Sequence, residues 1–318
     1  MHKPERIDFT IITPVFNAAD WIQETILSVL ENCDGLKYEY IVINDGSTDR
    51  TLEIMEQFKN EIVIINQENQ GEAKSVNNGI YAARGKYILV VSADDPMRSQ
   101  TLLVRSKKIM DNDDGVVCVY PDWSMIDENS RIIKEITVED FSIQKLVGEY
   151  ICIVGPGGVF RRSSALSIQG RNTKYRYTSD YDFWLRLSQL GRFERIPESL
   201  AFWRSHPEST SIAERGEQMG RERISVMENY LNSTGKEIPE GIARSALSNA
   251  YYQAALLIYF DERVPAKSWL IRAIRIKPAN IFKFNLKIML YIALYPLAPR
   301  IMRMISKAGI TLRLPDHA

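Results

Sequence analysis

The most chemically demanding residues in this 318-residue chain are two adjacent acids, Asp94 and Asp95, at the end of "ARGKYILVVSADDP". A continuous apolar run, residues 87–91, passes through two small residues into the pair and is stopped by Pro96. Neighbouring carboxylates repel, so a chain that places them where a strand leaves the core usually has a cation or a hydroxyl donor waiting there. Two other polar stretches stand in the same position. TPVFN comes after the apolar run 9–12, and NDGSTD after the run 40–43. In the second, Gly46 turns the chain, Ser47 or Thr48 can cap the next helix, and Asp45 by itself reads as a turn acid bonded to the backbone of GST. Phe16 by itself reads as a core aromatic. Further along, Asp180 in "SDYDFWLRL" falls in a helical first turn, where negative charge is favoured. Asp182, two residues on, points to a different side of that helix.

These residues need elements to hold them, and hydrophobic periodicity supplies the elements. Run 9–12 leads into Trp21, Ile22, Thr25, Ile26, Val29 and Leu30 at helical spacing; run 40–43 leads into Leu52, Met55 and Phe58. Run 62–65 precedes a helix on which Ala73, Val76, Ile80 and Ala83 align, and strand 87–91 comes next. A helical stretch around residues 103–110 and a strand at 116–120 complete the series. Short, doubly apolar strands alternating with helices specify a mostly parallel sheet covered on both faces, and such sheets bind ligands at the carboxyl ends of their strands. PVFN, NDGSTD and SADD all lie at such ends.

The pattern then changes. Residues 122–136 read as an irregular segment or hairpin, and "ICIVGPGGVFRR" as a strand broken by a glycine-rich bend. "SDYDFWLRLSQLG" reads as a helix with Phe183, Trp184, Leu187 and Leu190 inward and Gly191 as its stop. After "IPESLAFWRSHPESTS" the remainder is helical, with two amphipathic helices between residues 249 and 278 joined near 261–265.

Composition excludes several classes. With 45% hydrophobic and 25% charged residues the chain is that of an ordinary globular protein. Three widely spaced cysteines, Cys33, Cys118 and Cys152, suggest neither a disulfide framework nor a zinc site, and the N-terminus lacks the pattern of a signal peptide. A reducing cytoplasm is the expected location. The net charge is zero, yet residues 263–318 carry eleven Lys or Arg against one acid, Asp316, so residues 1–262 are correspondingly acidic.

In order and approximate spacing, PVFN, "VINDGSTDRT", "SADD", "SDYDFWLRL" and "FWRSHPESTS" resemble the family 2 glycosyltransferases with the GT-A fold, over about residues 7 to 212. The resemblance implies an α/β, Rossmann-like, mostly parallel sheet flanked by helices and succeeded by a C-terminal α-helical region. It places a GT-A catalytic domain at 1–212, divided into a nucleotide-sugar half at about 1–121 and an acceptor half at about 122–212. A helical, basic region occupies 213–318.

The implied activity is inverting transfer of a sugar from a nucleoside-diphosphate sugar to a hydroxyl acceptor, with Mn2+ or Mg2+. By the resemblance, Phe16 stacks on the base beside Pro14 and Asn17, and Asp45 accepts the imide N–H, which favours UDP or dTDP donors. Asp94 takes the ribose, and Asp95 ligates the metal that bridges the phosphates. His206 approaches the metal or diphosphate, and Arg204 meets a phosphate. Lys74 stands nearest to where some relatives use an arginine, Gly157 and Gly158 shape the acceptor pocket, and Asp180 is the base.

Two residues depart from the family pattern: Ser92 stands at the first Asp of the usual DxD, and Ser179 where Glu often precedes the base. They motivate the alternative, a non-catalytic, transferase-like nucleotide-sugar-binding protein. A dehydrogenase or pyrophosphorylase would need a glycine-rich loop after the first strand, where this chain has PVFN. A processive membrane synthase would need QxxRW and a long apolar span. The usual setting of such relatives is assembly of cell-surface polysaccharide or lipid-linked glycan.

The tail "NIFKFNLKIMLYIALYPLAPRIMRMISK" mixes large aliphatics with Lys283, Lys287, Arg300 and Arg303. Its uncharged core, residues 288–299, is too short to cross a bilayer, which needs about 20 residues. It can lie on an anionic membrane surface as a peripheral element. The alternatives are packing on the acidic remainder of the chain or a homo-oligomer surface. Nucleic acid is not expected, because the cations alternate with aliphatics rather than forming a polar stripe.

Overall fold

The computed structural model describes residues 7–206, 216–234, 238–258, 266–282 and 284. The chain divides after residue 214 into two compact units.

In the first unit, β1 (Phe9–Val15), β2 (Tyr38–Asn44), β3 (Val63–Asn66) and β4 (Tyr87–Val90) lie in the order β3-β2-β1-β4, all parallel. The apolar side chains of β1 are buried along the whole strand and those of β2 along nearly all of it, because helices cover both faces. α1 (Ile22–Cys33) buries Ile22, Thr25, Ile26, Val29 and Cys33, a helical stripe. α2 (Thr51–Glu56) and α3 (Glu72–Ala82) make the other crossovers, α3 burying Ala73, Val76 and Ile80. α2 is not capped by Ser47 or Thr48; the Thr51 N–H donates to Asp49 Oδ1 at 3.0 Å instead.

After α4 (Thr101–Asn112) comes β5 (Val116–Ile126), which turns into the antiparallel β6 (Ile132–Ile136), so residues 122–136 are a hairpin. β5 runs without interruption through positions 121 and 122. Of "ICIVGPGGVFRR" only β7 (Val159–Arg161) is strand; it lies antiparallel between β4 and β5 and leads into α5 (Arg162–Ser167). α6 (Ser179–Leu187) buries Phe183, Trp184 and Leu187, whereas Leu190, expected inward, is exposed beyond the helix end. Gly191 then begins the approach of β8 (Arg192–Arg204); a Cβ there would lie 2.5 Å from the Gly115 carbonyl oxygen.

β8 is the element that periodicity does not reveal. It pairs in parallel with β5 along its whole length, with register shifts opposite residues 116–118 and 121–123. These bulges break the strict alternation of "RFERIPESLAFWR", so Phe193, Ile196, Leu200 and Ala201 go inward at uneven spacing.

Among the described residues the second unit has three helices, Glu217–Thr234, Glu240–Ile258 and Ala266–Ile276, ending in a 3-10 turn at Pro278–Phe282. The last two helices are the expected pair. Tyr251, Trp269 and Leu270 pack in their core, and Phe284 stacks on Tyr252 with ring centroids 3.9 Å apart. Among the described residues no helix is long and apolar enough to cross a membrane. The amphipathic tail from residue 285 onward lies outside the described residues.

Candidate active site

The register of the sheet brings the polar loops together. Val15 aligns with Asn44 and Asn44 with Asn66, so β1, β2 and β3 end level, and β4 ends beside β1, with Val90 aligned to Ile12. Four loops therefore leave one edge of the sheet side by side, in the order 67–71, 45–48, 16–17 and 92–95.

The first three loops are bonded into one surface. The Asp45 carboxylate is buried and accepts from Gln67 Nε2 at 2.7 Å, the Gln70 N–H at 2.9 Å and the Gly71 N–H at 2.8 Å. Its partners thus lie on the loop after β3 rather than in GST, which the turn-acid reading required. Asn17, at φ 49, donates its N–H to Ser47 Oγ at 3.0 Å and accepts the Thr48 N–H on Oδ1 at 2.8 Å. Gly46 sits at φ 75 with Asn69 N only 2.8 Å from where a Cβ would be, a contact that no side chain permits. Phe16 is 49% exposed beside this junction, so it is no core aromatic. Pro14, in contrast, is buried within β1 opposite Ile43 and supports the loop rather than facing it. Lys74 is exposed in the first turn of α3.

The carboxylate pair is held from two sides. From α1, Thr25 Oγ1 donates to the Ala93 carbonyl at 2.8 Å, and Ser28 Oγ accepts the Met97 N–H at 2.8 Å. From β8, the Arg204 N–H donates to Asp95 Oδ1 at 2.7 Å, and His206 Nε2 lies 2.9 Å from Asp94 Oδ2 with its ring against Trp21. Asp95 is buried and Asp94 partly exposed. Burial, and next the charge of Asp94, push the Asp95 carboxyl well above the usual carboxylate range, against the Arg204 N–H and the Ser92 hydroxyl that pull it down.

Arg204 itself is not at a phosphate position. Its side chain is 0% exposed and donates to protein acceptors, Glu24 Oε2 at 2.7 Å and the Asp94 carbonyl at 2.7 Å among them. The expectation that it meets the diphosphate is corrected: the guanidinium points into the fold because Glu24 and a set of carbonyls surround it there.

Asp180 lies in the first turn of α6 and accepts the Tyr181 N–H at 2.7 Å. Burial raises its carboxyl above the ordinary value, Arg171 pulls it back and Glu72 adds to the rise. Arg171 pairs with Glu72 at 2.6 Å, and Glu72 is the residue after Gly71, whose N–H Asp45 holds. The electrostatic surroundings of Asp180 are thus tied to the β3–α3 loop. The two other acids in line are engaged elsewhere, Asp182 with Arg186 at 2.6 Å and Asp122 with Arg195 at 2.8 Å.

Gly157 and Gly158 separate in role. Gly157, at φ 83, lines a small cavity of about 50 Å³ together with Ser92, Asp95, Arg98 and Phe202, and a Cβ would come within 2.8 Å of Ala201 Cβ. Gly158 is buried, with Val154 Cγ1 2.7 Å from where its Cβ would be, so it serves packing and not the cavity.

Among the described residues no group of three or more His, Cys, Asp or Glu side chains is arranged to hold a metal by itself. Asp94 and Asp95 fit a hard divalent cation in another way. Two adjacent acids, one buried and one half-buried, whose charges oppose each other are relieved by such a cation, and magnesium-like ions take few protein ligands and fill the rest with substrate oxygens and water.

Sequence reasoning missed Gln67, Gly71, Trp21 and Glu24. "NQENQG" after run 62–65 is a fourth strand-end polar stretch, and that signal was available. Trp21 and Glu24 gave none, since their partner Arg204 is 180 residues from Glu24.

The model of the family described as glycosyl transferase family 2 matches residues 10–167. An uncharacterized glycosyltransferase of Haemophilus influenzae is 28% identical over 251 residues, covering 72% of this chain and 76% of that protein. The hyaluronan synthase of Pasteurella multocida is 28% identical over 230 residues, 71% of this chain but 23% of the synthase. Among solved structures, S. aureus TarS in complex with UDP-GlcNAc superposes with a TM-score of 0.66 at 16% identity, covering 96% of this chain and 93% of that one. The mannosyltransferase PcManGT of Pyrobaculum calidifontis, in complex with GDP-Man and Mn2+, gives 0.56 at 17% identity, covering 93% of this chain and 87% of the other. These likenesses show the GT-A fold.

Proposed function

With residues 10–167 belonging to glycosyl transferase family 2, we propose that this glycosyltransferase moves a sugar from a nucleoside-diphosphate sugar to a hydroxyl acceptor with inversion, assisted by Mn2+ or Mg2+. The observation that carries this reading is the Asp94–Asp95 pair, with His206 on Asp94, set level with the Phe16, Asn17 and Asp45 loops at one edge of a parallel sheet. Structural neighbours in complex with UDP-GlcNAc, and with GDP-Man and Mn2+, support it.

In this reading Phe16 offers its exposed ring to the base, and Asn17 fixes that loop against the Asp45 loop. Asp45 keeps one acceptor position beyond its three protein donors, enough for a single imide N–H, which favours a uracil or thymine donor. Lys74, exposed in the first turn of α3, is the nearest basic residue offered to the donor. Asp94 takes the ribose, Asp95 ligates the metal, and His206, 2.9 Å from Asp94 Oδ2, approaches the metal or diphosphate. When bound, the cation supplies neutralisation of the charge that grows on the leaving diphosphate. Asp180 takes the proton of the acceptor hydroxyl, and burial raises its affinity for that proton above that of an ordinary carboxylate.

The acceptor belongs to cell-surface polysaccharide or lipid-linked glycan assembly, and the basic tail places the enzyme on an anionic cytoplasmic membrane surface. The test is nucleoside diphosphate release from a panel of UDP-, dTDP- and GDP-sugars, with Mn2+ or with EDTA and with or without glycan acceptors. Turnover of a UDP- or dTDP-sugar that needs the metal supports the reading. Tight donor binding without any turnover, over all acceptors, supports the non-catalytic alternative that Ser92 and Ser179 motivate.

A further inference from the structure

We propose that Arg204 is a positioning residue for the carboxylate pair, one that sets where Asp94 and Asp95 stand without itself touching donor or metal. The inference rests on the metal role proposed for Asp95.

Arg204 is the largest fully buried side chain of the described residues, and its contacts tie the pair to other elements of the fold. Its own N–H donates to Asp95 Oδ1 at 2.7 Å, while its Nε donates to the Asp94 carbonyl at 2.7 Å, so one residue holds the Asp95 carboxylate and the Asp94 main chain. Nη2 reaches Glu24 Oε2 on α1 at 2.7 Å. Nη1 reaches the β5–β6 turn, with the Asp127 carbonyl at 3.0 Å and Ser130 Oγ at 3.0 Å. Ser130 in turn donates to the other oxygen of Glu24, closing a ring of Arg204, Ser130 and Glu24, and Trp21 lies under the guanidinium 4.6 Å away.

This is a fork used in all its directions. A guanidinium presents five N–H donors in one plane, a geometry that an ammonium cannot copy. Burying such a charge is unfavourable unless the surroundings satisfy it, and only Glu24 among these contacts offsets it with a full charge. The arrangement therefore fixes three segments, α1, the loop 92–95 and the turn 127–130, at one point. An acid pair that must meet a cation needs a backbone that does not yield to the mutual repulsion of the two carboxylates. Arg204 supplies that constraint together with Thr25 and Ser28, which hold the Ala93 carbonyl and the Met97 N–H on either side of the pair.

The test titrates the full-length chain with UDP, dTDP and GDP by calorimetry, in Mn2+ and in EDTA, and takes the ratio of the two Kd values for the nucleotide bound tightest. In the wild type we expect Mn2+ to tighten binding about tenfold or more. Arg204→Lys keeps the charge and loses the fork. It should bind in EDTA within about twofold of the wild type while the Mn2+ advantage falls about tenfold. A merely structural residue would weaken both media together, or would lower only the unfolding temperature. Should Arg204→Lys fail to fold, Glu24→Gln removes the counter-charge and leaves Arg204 in place, with an expected loss of about threefold in the Mn2+ advantage alone. A wild type without any Mn2+ advantage overturns the metal reading and this inference with it. A wild-type advantage that survives undiminished in Arg204→Lys, or in Glu24→Gln if that is the variant that folds, overturns this inference alone.

Discussion

The carboxylate of Asp45 accepts the Gly71 N–H at 2.8 Å, tying the end of β2 to the start of α3. Gln67 and the Gln70 N–H complete its protein partners, so one buried acid organises a whole loop of the site. Asp45→Ala should therefore do two things. It should destabilise the fold by about 1 to 3 kcal/mol, since three part-buried N–H donors lose a charged acceptor, and it should abolish nucleotide binding. Urea unfolding followed by tryptophan fluorescence, and calorimetry with UDP, measure the two. A loss below about 1 kcal/mol would mean that the loop stands without its acid.

Asp95 should show function and stability in opposition. Its folded-state proton affinity is raised, so without metal the charged form is penalised by the fold. The stability it contributes is highest at low pH, where it is protonated, and falls as pH rises through the ordinary carboxylate range towards its folded value. Asp95→Asn should thus raise the unfolding temperature at neutral pH in EDTA while metal-dependent transfer disappears. Differential scanning calorimetry in EDTA checks the first half and a release assay the second. Full turnover of the wild type in excess EDTA would remove the metal from the mechanism.

Asp180→Asn should retain nucleotide-sugar binding and lose about 10² to 10⁴ in transfer, since Asn keeps the shape and cannot take a proton. Because burial raises its proton affinity, activity should fall on acidification at a higher pH than an unperturbed aspartate would set. Arg171 opposes that rise, so Arg171→Gln should move the acid limb of kcat/KM to higher pH, with Glu72 left unpaired and adding to the shift. Unchanged transfer in Asp180→Asn would disqualify it as the base. Asp182 and Asp122 are poor substitutes, each being held by an arginine.

The basic tail should carry the chain to anionic membranes. Vesicles rich in phosphatidylserine should co-sediment the full-length chain at low salt and release it at high salt, because each surface cation contributes about 1 kcal/mol and is screened by ions. Neutral vesicles should not retain it. A chain that stays in solution with anionic vesicles at low salt would leave the tail as a packing or oligomerisation element.

Much of the fold was legible in the residues because local chemistry repeats itself. The stripe Ile22, Thr25, Ile26, Val29 on α1 and the stripe Ala73, Val76, Ile80 on α3 are spaced as helices that cover a sheet must be, and the structure buries them. β8 was not legible, because its bulges opposite β5 scramble the alternation on which a strand is recognised. Leu190 was misjudged for a related reason: α6 ends at Leu187, and periodicity does not mark where a helix loses its next turn to a neighbouring strand.

The residues alone determined that polar stretches come after apolar strands, that Asp94 and Asp95 would repel each other at such an end, and that Gly46 turns the chain after its strand. These are short-range properties, set by sterics and charge within a few residues. Only the tertiary structure decided which partners complete them. Gln67 and Gly71 come to Asp45 because β3 lies beside β2, and His206 comes to Asp94 because β8 runs along β5 past the end of β4. Arg204 has the same formal charge wherever it lies. It points into the fold rather than toward a phosphate because Glu24, the Asp94 carbonyl and the 127–130 turn converge on one buried point, and that convergence comes from the folded sheet, with 180 residues separating Arg204 from Glu24.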